Sequence, residues 1–357
     1  MMAKSRSIVS QDIEGLLQEL GDHLRVLSGA TLLVTGANGF LCSYFVDTIA
    51  VLNEVVLDSP CRVIAVDNLQ TGLFERLAHL EGRQDVDLVQ HDITLPLNLD
   101  QSIDWIIHGA SIASPTFYRR YPLETIDVNV TGTRKILEMA RKNVRSMLYL
   151  STSEVYGDPD PAFIPTSEDY QGNVSCTGPR ACYDESKRLA ETLCMTYYRL
   201  YGVPVKIVRP FNIYGPEQRL DDRRIIPDLM SAALRREPLV LYSNGRATRA
   251  FCYISDALRA MWYALLSDTN GEVFNVGNDQ EEISIGELAV RMQQIAGIPK
   301  LAIEYHMAED PDYLTDNPQR RCPDLTKLRR YFPWKPEVPL REGLRRTLRS
   351  YQECEEA

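Results

Sequence analysis

The chain has 357 residues, of which 44% are hydrophobic and 25% are charged, and these proportions are ordinary for a globular protein with one large domain and a smaller lobe. Its formal net charge of −10 argues against nucleic acid or an anionic membrane as a partner, so an anionic ligand needs a local cluster of basic residues. The eight cysteines form no Cys-x-x-Cys pair, which indicates reduced thiols and neither a disulfide framework nor a metal site.

The first residues do not have the pattern of a secretory signal, and no stretch approaches the roughly twenty apolar residues that cross a bilayer. We therefore expect a cytoplasmic protein. Residues 10–27 carry an apolar stripe at helical spacing, with Ser10 as the predicted N-cap. This helix would form an N-terminal extension over residues 1–28.

Short apolar runs then alternate with helical patterns, which is typical of parallel βαβ units. The predicted strands are residues 31–35, 62–67, 86–90, 105–108, 147–150 and 205–208, and the predicted helices are residues 40–53, 123–143 and 182–201. The expected fold class is α/β, a doubly wound parallel Rossmann sheet with a smaller C-terminal lobe.

A glycine-rich turn joins the first predicted strand to its helix, where the backbone can approach a pyrophosphate at a helix N-terminus. Asp67 ends the second strand, and a carboxylate there binds the adenosine ribose and repels a 2′-phosphate, which favours NAD over NADP. Cys42 occupies the third position of the glycine spacing, and its bulk is expected to move the helix slightly away from the strand. The cofactor-binding candidates in the turn and beyond the strands are Gly36, Asn38, Gly39, Phe40, Leu41, Asp67, Asn68, Thr71, Gly72, Asp92, Ile93 and Ser111.

The strand–helix alternation ends near residue 213, where prolines and charged residues interrupt it. We assign residues 29–213 to an NAD-binding Rossmann domain with a return segment at about 246–278. Residues 214–245 and 279–350 form the predicted substrate-binding lobe. Within this lobe the patterns predict helices over 225–236 and 283–296 and a strand over 239–242.

Tyr183 and Lys187 are four residues apart in the predicted helix 182–201 and therefore lie on one face. A nearby ammonium favours the phenolate, so we expect a lowered pKa for Tyr183, which could then take a proton from an alcohol that loses hydride. Lys187 would also hold the nicotinamide ribose. Thr152, Ser153 and Glu154 follow the strand that ends at residue 150, where ligands of such sheets bind.

Together the Gly-rich turn, the Tyr-x-x-x-Lys pair and the hydroxyl-rich strand end resemble the extended short-chain dehydrogenase/reductase superfamily. Within it the chain is most similar to the UDP-glucuronic acid decarboxylases (UDP-xylose synthases). Gly-Pro-Arg-Ala-Cys-Tyr-Asp-Glu at 178–185 is the most specific motif. The other stretches that carry the resemblance are residues 110–115, 151–159, 167–170, 211–212, 248–251 and 317–321.

The resemblance implies an NAD-dependent lyase that decarboxylates UDP-glucuronic acid. Tyr183 would take the C4 hydroxyl proton, the 4-keto acid would lose CO2, and reduction of the 4-keto-pentose would give UDP-xylose. Thr152 would stabilise the enolate, and Glu154 and Arg249 would shape the carboxylate end of the site beside Ser153.

The same resemblance implies further ligand contacts and a homodimer. Arg224 would lie near the cofactor, and the two subunits would pair through helices 123–143 and 182–201. The substrate-binding residues implied are Ser114, Glu154, Tyr183, Tyr197, Asn212, Tyr242 and Arg249.

Several alternatives stay open. One is release of UDP-4-keto-xylose with NADH; another is a 4,6-dehydratase or 4-epimerase of a related sugar nucleotide, although Ser153 stands where dehydratases carry an acidic Asp. A non-catalytic NAD-sensing protein is a third, against which the intact Tyr183 and Lys187 argue. Asp127, where the family commonly has Lys, leaves the sugar and the fate of the keto product open, and so does Cys42.

Overall fold

The computed structural model describes residues 6–298, 301–308 and 315–355. Residues 1–5 of the predicted extension and residues 299–300 and 309–314 of the predicted lobe lie outside the described residues. The strands are β1 (Thr31–Thr35), β2 (Arg62–Asp67), β3 (Val86–Gln90), β4 (Trp105–His108), β5 (Ser146–Leu150), β6 (Val205–Pro210), β7 (Ile213–Tyr214), β8 (Leu239–Leu241), β9 (Thr248–Ala250), β10 (Cys252–Tyr253), β11 (Val273–Val276), β12 (Glu282–Ser284), β13 (Ile303–Tyr305) and β14 (Arg320–Arg321).

A seven-stranded parallel sheet forms the centre of the fold, in the order β11-β6-β5-β4-β1-β2-β3. The six predicted strands and the Rossmann fold class are confirmed, and the seventh strand comes from the predicted return segment. Helices cover the sheet, so its strands are apolar runs, and every residue of β5 is buried. The strand order reverses at β1, which has β4 on one side and β2 on the other; ligands of doubly wound sheets bind at this point.

The helices that surround the sheets are α1 (Ser7–Leu24), α2 (Phe40–Val55), α3 (Pro115–Arg120), α4 (Pro122–Asp127), α5 (Thr133–Ala140), α6 (Ala181–Tyr201), α7 (Ile225–Arg235), α8 (Ile254–Leu266), α9 (Ile285–Ala296), α10 (Thr326–Tyr331) and α11 (Leu340–Glu355). None of these described helices is both long and apolar enough to cross a membrane.

The predicted start of the first helix is wrong by one turn. Helix α1 begins at Ser7, and Ser10 lies inside it, while the N-cap residue Arg6 makes no capping hydrogen bond with its side chain. The apolar stripe extends back to Ile8 and Val9, which are each 2% exposed. Packing of these two residues extends the helix beyond the capping signal, because tertiary burial contributes more than one cap.

The predicted helix 123–143 is not continuous. It is divided into α4, a π-helical turn over Val128–Gly132, and α5. A Cβ atom at Gly132 would lie 2.7 Å from the Ile93 side chain, so this turn passes close to the loop after β3. Asn129 in the turn is fully buried and donates to Ser186 of α6 at 2.9 Å. The irregular turn therefore ties this helix to the one that carries Tyr183.

Smaller sheets follow β6 in the chain. Strand β9 pairs with β12 and β14, β8 pairs with β13, and β7 pairs with β10. Helices α7 and α9 begin and end within two residues of their predicted bounds. The division into a cofactor domain and a substrate lobe stays a prediction, but the strand pairing brings Arg249 of β9 beside Arg321 of β14.

Candidate active site

A cavity of about 680 Å³ lies along the carboxyl edge of the sheet. Tyr183 and Lys187 of α6 reach it together with residues that follow β1, β2, β3, β4 and β5. Of the predicted site residues, all line the cavity except Asn38 and Tyr197; those that do are Gly36, Gly39, Phe40, Leu41, Asp67, Asn68, Thr71, Gly72, Asp92, Ile93, Ser111, Ser114, Thr152, Ser153, Glu154, Tyr183, Lys187, Asn212, Arg224, Tyr242 and Arg249.

The turn after β1 has the backbone geometry that a pyrophosphate requires. Gly36 has φ +69°, and a Cβ atom there would lie 2.7 Å from the backbone of Ala110. Gly39 is the N-cap residue of α2, and its own Cβ would meet the Gly36 carbonyl at 2.9 Å. No side chain therefore shields the first N–H groups of α2, which attract an anion. The Ser111 hydroxyl is buried in the cavity wall without a partner among the described residues, so it can serve a ligand.

Asp67, at the end of β2, forms a hydrogen bond with the turn after β1. Its carboxylate accepts the N–H of Asn38 at 3.0 Å and of Leu69 at 2.8 Å. Burial raises the pKa of Asp67, although these two hydrogen bonds act in the opposite direction. The Asn38 side chain donates instead to the carbonyl of Leu73 at 3.0 Å. The prediction that Asn38 faces the cofactor is therefore wrong for its side chain, which holds the neighbouring loop.

Cys42 fits against the sheet through Gly109. A Cβ atom at Gly109 would overlap the Cys42 sulfur, so the missing side chain after β4 provides the space that the thiol on α2 fills. Burial raises the pKa of Cys42 to about 12, so it stays a neutral thiol. The bulk expected to displace the helix is accommodated by a glycine far away in sequence.

Tyr183 and Lys187 lie one turn apart on α6, as predicted, but they do not interact as predicted. Lys187 Nζ donates to the Leu150 carbonyl at 2.8 Å, and burial lowers the pKa of Lys187 to about 8. Burial raises the pKa of Tyr183 to about 12, against the opposing effects of a hydrogen bond with Thr152 and of the Arg224 charge. The expected lowering of the Tyr183 pKa is therefore not met in the protein without ligand, because burial outweighs the nearby cations.

Glu154 lies between two guanidinium groups. Arg180 and Arg321 both form ion pairs with its carboxylate, and the second hydrogen bond from Arg321 measures 3.0 Å. Burial opposes ionisation of Glu154, but the charges of Arg180, Arg321 and Arg249 outweigh it and hold its pKa well below the ordinary value. Glu154 is thus a permanent carboxylate that cannot deliver a proton near neutral pH.

Arg249 adds a third cation at this end of the cavity. It is 8% exposed, and it donates to its neighbour Thr248 at 2.8 Å and to the Asn317 side chain at 2.9 Å. Burial and the charge of Arg321 lower the pKa of Arg249 to about 10, so it remains protonated near neutral pH. Asp184 is a second carboxylate here, 3.6 Å from Arg180, and burial together with the charge of Glu154 raises its pKa to about 7. Three arginines therefore face two carboxylates, and the remaining positive charge suits an anionic ligand group.

Sequence reasoning missed Arg180, Arg321 and Tyr118 as site residues. Arg180 and Arg321 lie inside stretches that carry the family resemblance, but nothing local indicates that they meet at Glu154. Tyr118 stacks on Tyr183, with ring centroids 5.0 Å apart and planes 7° apart. Its hydroxyl is buried and has no partner among the described residues, and burial raises its pKa above the ordinary value.

The prediction for Tyr197 is wrong. It shares the α6 face of Tyr183, but fourteen residues along a helix correspond to about 21 Å. Its hydroxyl hydrogen-bonds with Glu138 of α5, and its ring packs against Tyr201 with centroids 5.4 Å apart. Helical periodicity correctly predicted which face of α6 carries Tyr197. Its distance from Tyr183 along the helix axis leaves it outside the cavity.

Three further candidates, Asn212 and Ser114 for the substrate and Arg224 for the cofactor, donate hydrogen bonds to backbone carbonyls around the cavity. Asn212 donates to the Ala250 carbonyl at 3.2 Å, Ser114 donates to the Asp222 carbonyl at 3.1 Å, and Arg224 donates to the Ala113 carbonyl at 2.7 Å. Among the described residues, no group of three His, Cys, Asp or Glu side chains is placed to hold a metal ion.

The sheet, the glycine turn and the Tyr183–Lys187 helix define the class of the protein. The model of the NAD dependent epimerase/dehydratase family matches residues 32–277. NAD, as predicted, is the cofactor of this family, and the Gly36 turn and Asp67 fit it.

Relatives narrow the family further. UDP-glucuronic acid decarboxylase 6 of Arabidopsis thaliana is 39% identical over 317 residues, which cover 89% of this chain and 87% of that protein. UDP-glucuronic acid decarboxylase 1 of Xenopus tropicalis is 38% identical, with 90% and 72% covered. The chain belongs to the UDP-glucuronic acid decarboxylase family, which confirms the resemblance seen in its motifs.

A solved structure with a related fold is the UDP-glucuronic acid 4-epimerase of Bacillus cereus in complex with UDP-glucuronic acid and NAD. It has a TM-score of 0.76 and 26% identity, and the match covers 91% of this chain and 99% of that chain.

Proposed function

We propose that this protein is an NAD-dependent decarboxylase of UDP-glucuronic acid that forms UDP-xylose through a 4-keto intermediate. The observation that carries the proposal is the cluster of Arg180, Arg249 and Arg321 around the ionised Glu154. A carboxylate substrate fits the surplus charge, and CO2 can leave from it without a proton donor at this position. Membership in the decarboxylase family supports the same substrate.

Oxidation at C4 begins at Tyr183. We propose that its phenolic oxygen takes the C4 hydroxyl proton, while the hydrogen bond with Thr152 and the charge of Arg224 favour the ionised form. NAD, held by the Gly36 turn and Asp67, would supply the hydride acceptor for this oxidation and the hydride donor for the later reduction. Lys187, whose ammonium donates to the Leu150 carbonyl, would bind the ribose near the reacting carbon.

Loss of CO2 follows because the C4 ketone is β to the carboxylate. Charge leaves the carboxylate and develops on the C4 oxygen, where the hydroxyls of Tyr183 and Thr152 would stabilise it. Addition of a proton from solvent at C5 would then give the 4-keto-pentose. Arginines alone would stabilise the bound carboxylate but not the neutral CO2 that leaves. This difference would raise the barrier to decarboxylation. We propose that Glu154 neutralises part of the arginine charge, so that the site binds the carboxylate without trapping it.

The remaining predicted roles belong to the same proposal. Ser153 would hydrogen-bond the sugar beside Glu154. Asn212, which precedes β7, and Tyr242, which follows β8, line the cavity, and we propose that a uridine diphosphate binds along this part of it. Ser114 and Arg224 would mark the junction of sugar and cofactor.

The test is incubation of the purified protein with UDP-glucuronic acid, followed by mass spectrometry of the nucleotide sugars and measurement of CO2. We expect conversion to a UDP-pentose with loss of CO2. Tyr183→Phe is the matched control, and its turnover should fall by at least about 100-fold while NAD still binds. No loss of CO2 from the wild-type protein would contradict the proposal.

A 4-epimerase or 4,6-dehydratase is the alternative that uses the same first oxidation. Dehydration requires an acid at the position of Ser153 or Glu154, and Glu154 stays ionised. Epimerisation of UDP-glucuronic acid would leave the mass unchanged, so the mass measurement separates it from decarboxylation. Accumulation of a UDP-4-keto-pentose together with NADH would identify the variant that releases its intermediate.

We further propose that the protein is a cytoplasmic homodimer. Leu189 and Leu200 lie eleven residues apart on one face of α6 and are 47% and 67% exposed, and Leu123 of the neighbouring α4 is 71% exposed. An apolar stripe of this kind favours pairing of two subunits through these helices. The seven cysteines at positions 42, 61, 176, 182, 194, 252 and 322 are free thiols, in keeping with a reducing compartment.

A further inference from the structure

Residues 216–224, between β7 and α7, run along the carboxyl edge of the sheet outside any helix or strand. We call this segment the strap. Gln218, Arg219, Asp222, Arg223 and Arg224 of the strap line the cavity. Its backbone is held in an unusual conformation at Glu217 and Arg223, whose φ angles are +64° and +57°, so its surroundings rather than local preference determine its path.

Arg219 fastens the first part of the strap. Its Nη1 donates to the Thr71 carbonyl, in the loop after β2, at 3.2 Å. Its guanidinium also lies 4.9 Å from the ring centroid of Phe117 in α3, which follows β4. Asp221 orients the guanidinium through two hydrogen bonds of 2.8 and 2.6 Å. One side chain thus contacts the segments that follow two different strands.

The second part of the strap is fastened only to the loop after β4. Ser114 Oγ donates to the Asp222 carbonyl at 3.1 Å, and Arg224 Nη2 donates to the Ala113 carbonyl at 2.7 Å. Ala113 and Ser114 both line the cavity.

The strand order shows what the strap crosses. Strands β2 and β4 flank β1, so a segment bonded to the loops after both spans two strand spacings, roughly 10 Å. The turn that follows β1 is Gly36–Gly39, the pyrophosphate-binding turn. The strap therefore joins the loops on either side of the turn where we expect a dinucleotide to bind.

Four other side chains brace the strap; Arg76 lines the cavity, whereas Arg6, Tyr44 and Tyr351 do not. Arg76 donates to the Glu217 carbonyl at 2.7 and 3.1 Å, Arg6 pairs with the Glu217 carboxylate at 2.7 Å, and Tyr44 donates to the Pro216 carbonyl at 3.2 Å. Tyr351 of α11 donates to the Gln218 carbonyl. Tyr351 and Arg6 do not line the cavity, so they act on the strap without touching a ligand.

We propose that the strap retains the reduced cofactor between the two hydride transfers, with Arg219 as its positioning residue, and this proposal rests on the proposed function. Oxidation of the C4 alcohol reduces NAD, and reduction of the 4-keto-pentose reoxidises it, so the cycle needs no outside reductant while NADH stays bound. If NADH leaves early, the two electrons leave with it and the 4-keto-pentose is the product.

The test compares Arg219→Met with the wild-type protein. The substitution keeps most of the aliphatic stem and removes the guanidinium, with its hydrogen bond to the Thr71 carbonyl and its contact with the Phe117 ring. We expect bound NADH, displaced by excess NAD and followed by its fluorescence, to dissociate about tenfold faster. The ratio of UDP-4-keto-pentose to UDP-xylose should rise as well. Arg235→Met is the control, because Arg235 is exposed, pairs with Glu237 and lies outside the cavity lining.

Tyr351→Phe distinguishes retention of NADH by the strap from direct binding of the ligand by Arg219. It removes the hydrogen bond from the Tyr351 hydroxyl to the Gln218 carbonyl. We expect a smaller increase in the NADH dissociation rate than in Arg219→Met. Wild-type rates in both variants would overturn the proposal. A faster rate in Arg219→Met alone would also overturn it, in favour of direct binding by Arg219. The dissociation rate needs no sugar substrate, so failure of the decarboxylation assay would refute the proposed function without deciding this test.

Discussion

The charge state of single residues in the cavity depends on partners that are distant in sequence. Glu154 stays ionised because Arg180 and Arg321 outweigh the cost of its burial, whereas Tyr183 is neutral in the protein without ligand because burial outweighs Arg224. Desolvation disfavours both ionised forms, but the phenol has the higher ordinary pKa, and the charges of Glu154 and Asp184 raise the pKa of Tyr183 further. The carboxylate therefore serves as a fixed charge and the phenol as a group that exchanges protons.

Glu154→Gln tests the neutralising role of this carboxylate. Without it the three arginines hold the substrate carboxylate more strongly, and the departing CO2 gains nothing from them. We expect both KM and kcat to fall, with kcat lower by about tenfold or more, because the ground state is stabilised and the transition state is not. Steady-state kinetics with UDP-glucuronic acid measure the two constants. A higher KM with unchanged kcat would mean that Glu154 only binds substrate.

Thr152→Val tests the influence of the hydroxyl on Tyr183. The hydrogen bond with Thr152 lowers the pKa of Tyr183, so its loss raises that pKa further. Because the base acts in its ionised form, the rise of kcat/KM with increasing pH should move to higher pH, by about one pH unit. Thr152→Ser keeps a hydroxyl and should leave the profile in place. An unchanged profile in the Val variant would show that Thr152 does not control this ionisation.

Tyr197→Phe tests whether that residue contacts substrate. Its hydroxyl bonds with Glu138 outside the cavity, so KM for the sugar nucleotide should not change. The free energy of unfolding should fall by about 1 kcal/mol or less, as expected for one partly exposed hydrogen bond. Denaturant titration and kinetics measure the two quantities, and a several-fold higher KM would restore Tyr197 to the site.

At the scale of elements, α2 packs closely against the end of β4 because a larger residue in the helix faces a glycine in the loop after the strand. Cys42 replaces the third glycine of the usual turn, and Gly109 leaves the space that the thiol occupies. The close approach of helix and strand, which normally depends on glycine in the helix, depends here on glycine in the loop that faces it. The helix N-terminus therefore keeps its place beside Gly36 and Gly39.

Gly109→Ala tests this fit. The added methyl group meets the Cys42 sulfur and Leu150, so we expect lower stability and weaker NAD binding, by about 1–3 kcal/mol for the overpacked contact. Cys42→Gly in the same chain removes the obstacle and should restore part of both. Thermal unfolding and NAD titration of the single and double variants form the cycle. Additive losses would mean that the two residues are independent.

For the whole molecule, net charge and site charge have opposite signs. The chain carries −10, yet basic residues converge on the cavity that we expect to hold two diphosphates and a carboxylate. They are Arg76, Arg119, Arg180, Lys187, Arg219, Arg223, Arg224, Arg249 and Arg321. The composition predicted such a local cluster, and the fold assembles it from seven separate parts of the chain.

Leu189→Glu tests the proposed dimer. A carboxylate on the exposed stripe of α6 cannot be buried unpaired at an interface, so we expect a monomer by size-exclusion chromatography with light scattering. Leu95→Glu is the control, because Leu95 is 56% exposed and belongs to no described helix or strand. The same mass for wild type and Leu189→Glu would contradict pairing through this stripe.

The sequence by itself determined the features that depend on near neighbours. Strand and helix positions follow from hydrophobic periodicity, the glycine turn and Asp67 from their place after β1 and β2, and the common face of Tyr183 and Lys187 from their spacing. These relations extend over at most a few turns or strand lengths, so the pattern of residues contains them.

Only the tertiary structure decided the rest. Pairing of β14 with β9 places Arg321 beside Arg249, seventy-two residues apart, and no local pattern contains that approach. Burial, which reverses the expected pKa of Tyr183, is likewise a property of the assembled site. The strap bonds to the loops after β2 and β4, because the fold brings separate segments within hydrogen-bond distance, where short-range forces act.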